Sequence, residues 1–173
     1  MPPTYHHRST CRLCDSTELT KVFELTPTPP ANSFVSREQL ATKQTTYPLE
    51  LFFCEDCAHL QLLIVVNPAE LFQNYIYVSG TSSSFIKHFS DYATSCINNF
   101  GLSAGDLVID IGSNDGTLLN FFKNKQLNIL GIDPARMIAK QASKKGLETW
   151  PEFFNKSTAK KVLKIKGEAS LIT

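Results

Sequence analysis

Leu107-Val108-Ile109-Asp110-Ile111-Gly112-Ser113-Asn114-Asp115-Gly116-Thr117 is the stretch on which the fold of this 173-residue chain turns. Residues 107–111 form a nearly continuous apolar run, as expected of a parallel strand buried on both faces. The glycine-bearing turn that follows opens a helix from Thr117 to about Lys123. Downstream the pattern repeats: a strand over Leu127–Ile132, a helix from Pro134 to about Lys145, and a short strand near Leu147–Trp150. A helix from Ser157 to about Lys166 and a last strand over Ala169–Thr173 complete the series. Strands alternating with helices predict a parallel α/β sheet joined by right-handed crossovers.

Working back from this stretch, a helix is expected over about Ser82 to Phe100. Its residues Phe85, Phe89, Tyr92, Cys96 and Phe100 step by four and three, with Ile86, Ala93 and Ile97 alongside, which makes one broad apolar face. Cys96 on that face reads as a core thiol. Before it, Asn67-Pro68-Ala69-Glu70 has a cap residue, a first-turn proline and an acidic third position, and so announces a short helix. Residues 1–66 read as a small, strand-poor and loop-rich module with strand-like pieces at Leu19–Leu25, Tyr47–Phe53 and Ala58–Val66. Thr26-Pro27-Thr28-Pro29-Pro30-Ala31-Asn32 reads as a rigid loop. The organisation expected is thus a module over 1–66, connecting helices over 67–105 and an α/β part over 106–173.

Two CxxC knuckles, Cys11-x-x-Cys14 and Cys54-x-x-Cys57, lie 39 residues apart. Each can present two thiolates to one cation, and the pair closes a tetrahedral four-cysteine site of the structural kind that zinc prefers. Iron takes the same four-sulfur geometry, and disulfides are the weaker reading for a chain with cytoplasmic character. His59 is placed to replace one ligand or to stand behind the set. Metal binding has a physical rationale here, because so small a module buries little apolar area by itself and a bound ion adds folding free energy directly.

The turn after residue 111 is not the dinucleotide fingerprint, since Ser113-Asn114 stand where that pattern needs its middle glycine. Gly112 permits the sharp turn and Gly116 a close approach of backbone to ligand or strand. Asp133, 23 residues after Asp110 at the end of the next strand, can accept hydrogen bonds from the two hydroxyls of a ribose. The competing reading, that it merely caps the helix beginning at Pro134, is the weaker one.

The CxxC knuckles, the segment Tyr75-Ile76-Tyr77-Val78-Ser79, the Val108–Leu119 stretch and Gly131-Ile132-Asp133-Pro134-Ala135, in that order, resemble the zinc-containing class I S-adenosylmethionine-dependent C-methyltransferases. Those enzymes methylate a carbon of nucleotide-linked keto-deoxysugars, and the resemblance covers essentially the whole chain. It implies a Rossmann-like methyltransferase sheet behind an N-terminal zinc-binding module. Asp110 and the turn Gly112, Ser113, Asn114, Asp115 and Gly116 would cradle the methionine part of S-adenosylmethionine, and Asp133 would bind its ribose. Cys11, Cys14, Cys54 and Cys57 would hold Zn²⁺. Tyr77, with Tyr75 beside it, would line the sugar site, and His88 is a further lining candidate. The family's sheet has seven strands, and residues 106–173 accommodate four. The expectation is therefore a truncated or fragmentary chain without the catalytic base, whose open sheet edge another chain could cover.

Composition bounds the alternatives. A chain with 42% hydrophobic and 19% charged residues has the material for a folded core, and its net charge of +1 gives no case for nucleic acid or a membrane surface. Residues 121–173 carry +7 and residues 1–120 carry −6, but Lys-rich stretches such as Lys160–Lys166 read first as solvated helix faces. Met1–Arg8 lacks the apolar run of a secretory signal, and Leu60–Val66, interrupted by Gln61, is too short to span a membrane. The competing function is a zinc-ribbon binding module without methyl transfer. A nicotinamide oxidoreductase is disfavoured by the missing middle glycine.

Overall fold

The computed structural model describes residues 4–173, which form two compact units divided between Leu71 and Phe72. In the first unit, strand β1 (Tyr5–His7) pairs antiparallel with β5 (Ile64–Val66). Strands β2 (Leu19–Thr28), β3 (Tyr47–Cys54) and β4 (Leu60–Leu62) make an antiparallel sheet in that order. The strand-poor reading of this module is corrected by these five strands. The loop expected at Thr26–Thr28 is in fact the end of β2. That strand lies at the sheet edge, where Pro27 costs no interior ladder hydrogen bond, and the register slips between Leu25 and Thr28 to pass it.

The core of this unit is thin. Among the described residues its buried side chains are Cys11, Tyr47, Cys54, Gln61 and Leu63, while Val22, Phe23 and Leu25 on β2 remain about half exposed. The short helix α1 (Pro68–Phe72) starts as the sequence indicates, with Asn67 Oδ1 accepting from the Ala69 amide at 3.0 Å.

The second unit is built on a four-stranded parallel sheet. Strand β6 (Leu107–Ile111) lies between β7 (Asn128–Ile132) and β9 (Leu171–Ile172), and β8 (Thr149–Trp150) pairs outside β7. In this register Asp110 stands opposite Gly131. The helices are α2 (Ser83–Phe100), α3 (Thr117–Lys123), α4 (Arg136–Lys144) and α5 (Lys156–Lys166). The pleat of β6 divides its side chains between two cores: Val108 packs with Ala93 and Cys96 of α2 and with Leu118 and Phe122 of α3. Leu107 and Ile109 pack with Leu130, Ile132 and Val162 of α5.

Helix α2 begins at Ser82, whose hydroxyl accepts from the Phe85 amide, and ends at Gly101 in the left-handed conformation. Its apolar face is only partly used. Ala93 and Cys96 are buried, whereas Phe85, Ile86, Tyr92 and Phe100 stay exposed. Helix α5 buries Thr158 and Val162 and turns Lys160, Lys161 and Lys164 to solvent, the solvated amphipathic face that its lysine pattern indicates. Lys161 pairs with Glu152 and lies over the Trp150 ring, 4.4 Å from its centroid. No described helix is long and apolar enough to cross a membrane.

Candidate functional site

In the first unit the two knuckles fold alike. The Asp15 amide donates back to Cys11 O and the Ala58 amide to Cys54 O, and Asp15 and Ala58 share the same left-handed φ of 58°. The turns bring the Sγ atoms of Cys11, Cys14, Cys54 and Cys57 within 4.8 Å of one another. Cys11 and Cys57 sulfurs are 3.7 Å apart and those of Cys14 and Cys54 3.6 Å. A tetrahedral zinc with bonds of about 2.3 Å requires sulfur–sulfur edges of roughly 3.8 Å, so the donor set fits the ion. The same separations are far beyond a disulfide bond of about 2.05 Å.

Gln61 supports the cluster in a way its sequence position does not advertise. Buried on β4, it donates from Nε2 to Cys11 Sγ at 3.2 Å and accepts at Oε1 from the Arg12 amide at 2.8 Å. Burial works against a thiolate at Cys11. The amides of Cys14 and Leu13, with Gln61 and Cys57, outweigh it and bring the thiol down to about 6. Burial and the neighbouring Cys14 push Cys57 up to about 12. His59 is not in the four-sulfur cluster; its carbonyl accepts from the Cys54 amide.

The second candidate site lies at the ends of β6 and β7. Gly112 turns at φ +77°, and nothing lies within 4 Å of where a Cβ would be, so the main chain is open to a close ligand there. The carboxyl of Asp110 sits behind this turn. Burial pushes it up to about 6, the Thr173 hydroxyl donating to Oδ1 at 3.2 Å draws it partly back, and Asp133 raises it further. A cavity of about 170 Å³ opens here, lined among others by Ser79, Phe89, Asp110, Gly112 and Asn114.

Asp133 is buried, and both of its carboxylate oxygens are engaged by main-chain amides. Oδ2 accepts from the Asn114 amide at 2.8 Å, and Oδ1 accepts from the Ala135 amide at 2.8 Å, ahead of α4. Each oxygen retains a second lone pair for a ribose hydroxyl. A buried carboxyl with a raised pKa beside an open glycine, and an acceptor-only carboxylate at the next strand end, fit a ligand with a cationic amino-acid end and a ribose diol.

The side chains of the remaining turn residues face other parts of the chain. The Ser113 hydroxyl is buried without a hydrogen-bond partner among the described residues and lies against Gly131. The side chain of Asn114 accepts from the Ser79 amide and donates to Tyr77 O, and Asp115 accepts from the Gly80 amide. Gly116, also at φ +77°, starts α3. Tyr77 thus lies beside the turn with its ring part exposed, 6.5 Å from the Tyr75 ring. His88 is exposed on α2, where it stacks on Tyr92 at 6.3 Å.

Residues 11–72 match a methyltransferase-associated family described as "Putative zinc binding domain". The chain is 33% identical to the C-methyltransferase NovU of Streptomyces niveus over 162 residues, 94% of its own length. It spans 39% of the length of that relative. Two solved structures are also similar to part of this chain. One is described as a "putative s-adenosyl-l-methionine-dependent methyltransferase" from Methanococcus maripaludis, at 24% identity and a TM-score of 0.33, covering 55% of this chain and 36% of that one. The other is a SAM-dependent methyltransferase from Aquifex aeolicus, at 21% identity and a TM-score of 0.30, covering 43% of this chain and 47% of that one.

Proposed function

We propose that this chain carries the zinc centre and the cofactor platform of an S-adenosylmethionine-dependent C-methyltransferase acting on a nucleotide-linked keto-deoxysugar. The observation that carries the reading is the placement of Asp110 beside the open Gly112 turn, with Asp133 at the end of the adjacent strand. Similarity to a relative named as a C-methyltransferase supports carbon as the methyl acceptor.

Bound S-adenosylmethionine supplies the electrophilic methyl; the chain supplies orientation and electrostatics. Asp110 receives the ammonium end of the methionyl group, Gly112 lets the main chain approach it, and Asp133 accepts from the ribose hydroxyls. Tyr77 flanks the sugar, and His88 lies further along the same wall. Cys11, Cys14, Cys54 and Cys57 hold zinc as a structural ion, consistent with a reducing, cytoplasmic setting. The outer edge of β9 is open to a further strand from another chain.

Calorimetric titration of the chain with S-adenosylhomocysteine tests this. Stoichiometric binding that is lost in Asp133→Ala, with circular dichroism unchanged, is the expected result. Absence of binding by a folded, zinc-loaded chain would overturn the methyltransferase reading and leave the zinc-ribbon interaction module.

A further inference from the structure

We infer that Asn114 and Asp115 are positioning residues: they clamp the main chain of Tyr77–Gly80 to the glycine turn, so that a ligand on the turn and the Tyr75–Tyr77 wall stabilise one another. The inference rests on the turn being the cofactor site. It starts from an oddity of the turn itself. Asn114 has φ +50°, a left-handed conformation that glycine adopts at least cost, so the backbone alone gives no reason for a side chain there.

The side chain has other work. Its Oδ1 accepts from the Ser79 amide at 3.0 Å, and its Nδ2 donates to Tyr77 O at 2.9 Å, which fixes the peptide groups on both sides of Val78. Asp115 extends the grip by one residue. Oδ2 accepts from the Gly80 amide at 3.1 Å, while Oδ1 takes the Thr117 amide and hydroxyl at the start of α3. Both side chains belong to nearly buried residues, where such bonds are worth more than in water.

Gly80 shows how close the approach is. A Cβ there would lie 2.6 Å from Asp115 Oδ2 and 2.8 Å from Thr117 Oγ1, although Gly80 itself needs no left-handed backbone. The clamped segment has little else to order it, since Tyr77 is exposed and Ser79–Thr81 make only a single 3-10 turn. Ser79 nevertheless lines the same cavity as Asp110 and Gly112. Anything that orders the turn therefore orders the segment, and by linkage the segment returns the same factor to the ligand.

Two substitutions open the clamp from opposite sides. Asn114→Gly keeps the left-handed backbone and removes the Asn114 grip; Gly80→Ala leaves Asn114 and Gly112 in place and wedges the segment away from Asp115 and Thr117. Amide exchange at Ser79 and Gly80 is read with and without S-adenosylhomocysteine, alongside calorimetric affinity. In the natural chain the ligand should slow exchange at both amides. Each variant should lose that slowing and weaken the ligand about 5- to 50-fold, the usual span of such coupling. Asn114→Asp, which keeps the acceptor for Ser79, should recover part of both.

Unchanged protection in both variants overturns the clamp. So does loss of affinity in Asn114→Gly alone, which would mean that Asn114 touches the ligand directly. If the natural chain binds no S-adenosylhomocysteine, the cofactor reading and the coupling fail together. Ligand-free exchange in Asn114→Gly against the natural chain still decides whether the clamp itself exists.

Discussion

Two side chains carry most of the chemistry that can be read at single positions. Asp110 is held up to about 6 by burial, against an ordinary carboxyl near 3.8. Folding therefore favours its protonated form, a contribution fully present below about pH 4 and lost as pH rises through about 6, on the order of 3 kcal/mol in all. Asp110→Asn should be more stable than the natural chain at pH 7 and should lose this acid-side gain, as melting curves at several pH values will report. A cationic ligand end favours ionised Asp110, so affinity for S-adenosylmethionine should rise across the same window and stay flat in Asp110→Asn. The second side chain is Gln61. Removing its hydrogen bond to Cys11 in Gln61→Ala should weaken zinc about 10- to 100-fold, measurable by competition with a chromogenic chelator. In the sequence Gln61 shows only as a polar break in an apolar run, and such a break does not reveal what it faces. Asp110, Gly112 and Asp133 were legible because strand ends and turns follow from periodicity. The uses of Asn114 and Asp115 were not, because their partners at Tyr77–Gly80 lie more than thirty residues away.

Elements in the two halves of the chain differ in how plainly the sequence displays them. Strands β6 and β7 and helices α2, α3 and α5 fall within a residue or two of their expected limits, since buried parallel strands and amphipathic helices leave strong periodic signals. The first unit was harder to read. Its β2 carries exposed Val22, Phe23 and Leu25 and ends across Pro27, so neither alternation nor punctuation marks it as a ten-residue strand. The knuckles hide a further detail. Ala58 occupies the left-handed position after the second cysteine of its pair, where a Cβ costs roughly 1–2 kcal/mol that glycine avoids. Allowing for the greater backbone freedom of glycine when unfolded, Ala58→Gly should stabilise the zinc-loaded unit by up to about 1 kcal/mol, and Ala58→Val should destabilise it. Thermal melts in saturating zinc distinguish the two directions.

At the scale of the molecule, two units with unequal cores share one chain. The first buries few apolar side chains around its four cysteines, whereas the second has two hydrophobic clusters on either face of its sheet. Chelation should therefore collapse amide protection in β2, β3 and β4 while β6 and β7 keep theirs, which hydrogen exchange followed by mass spectrometry will show. Protection lost equally in both units would refute that division of stability. Trp150 gives the molecule a built-in optical reporter. It is the single tryptophan of the chain, it lies under the Lys161 ammonium, and its carbonyl receives the Asp133 amide at 3.0 Å. Intrinsic fluorescence excited in the red tail of the absorption band is then blind to the metal unit. It responds instead to the strand end that holds Asp133, so ligand occupancy there and melting of the sheet can be followed without attaching a dye.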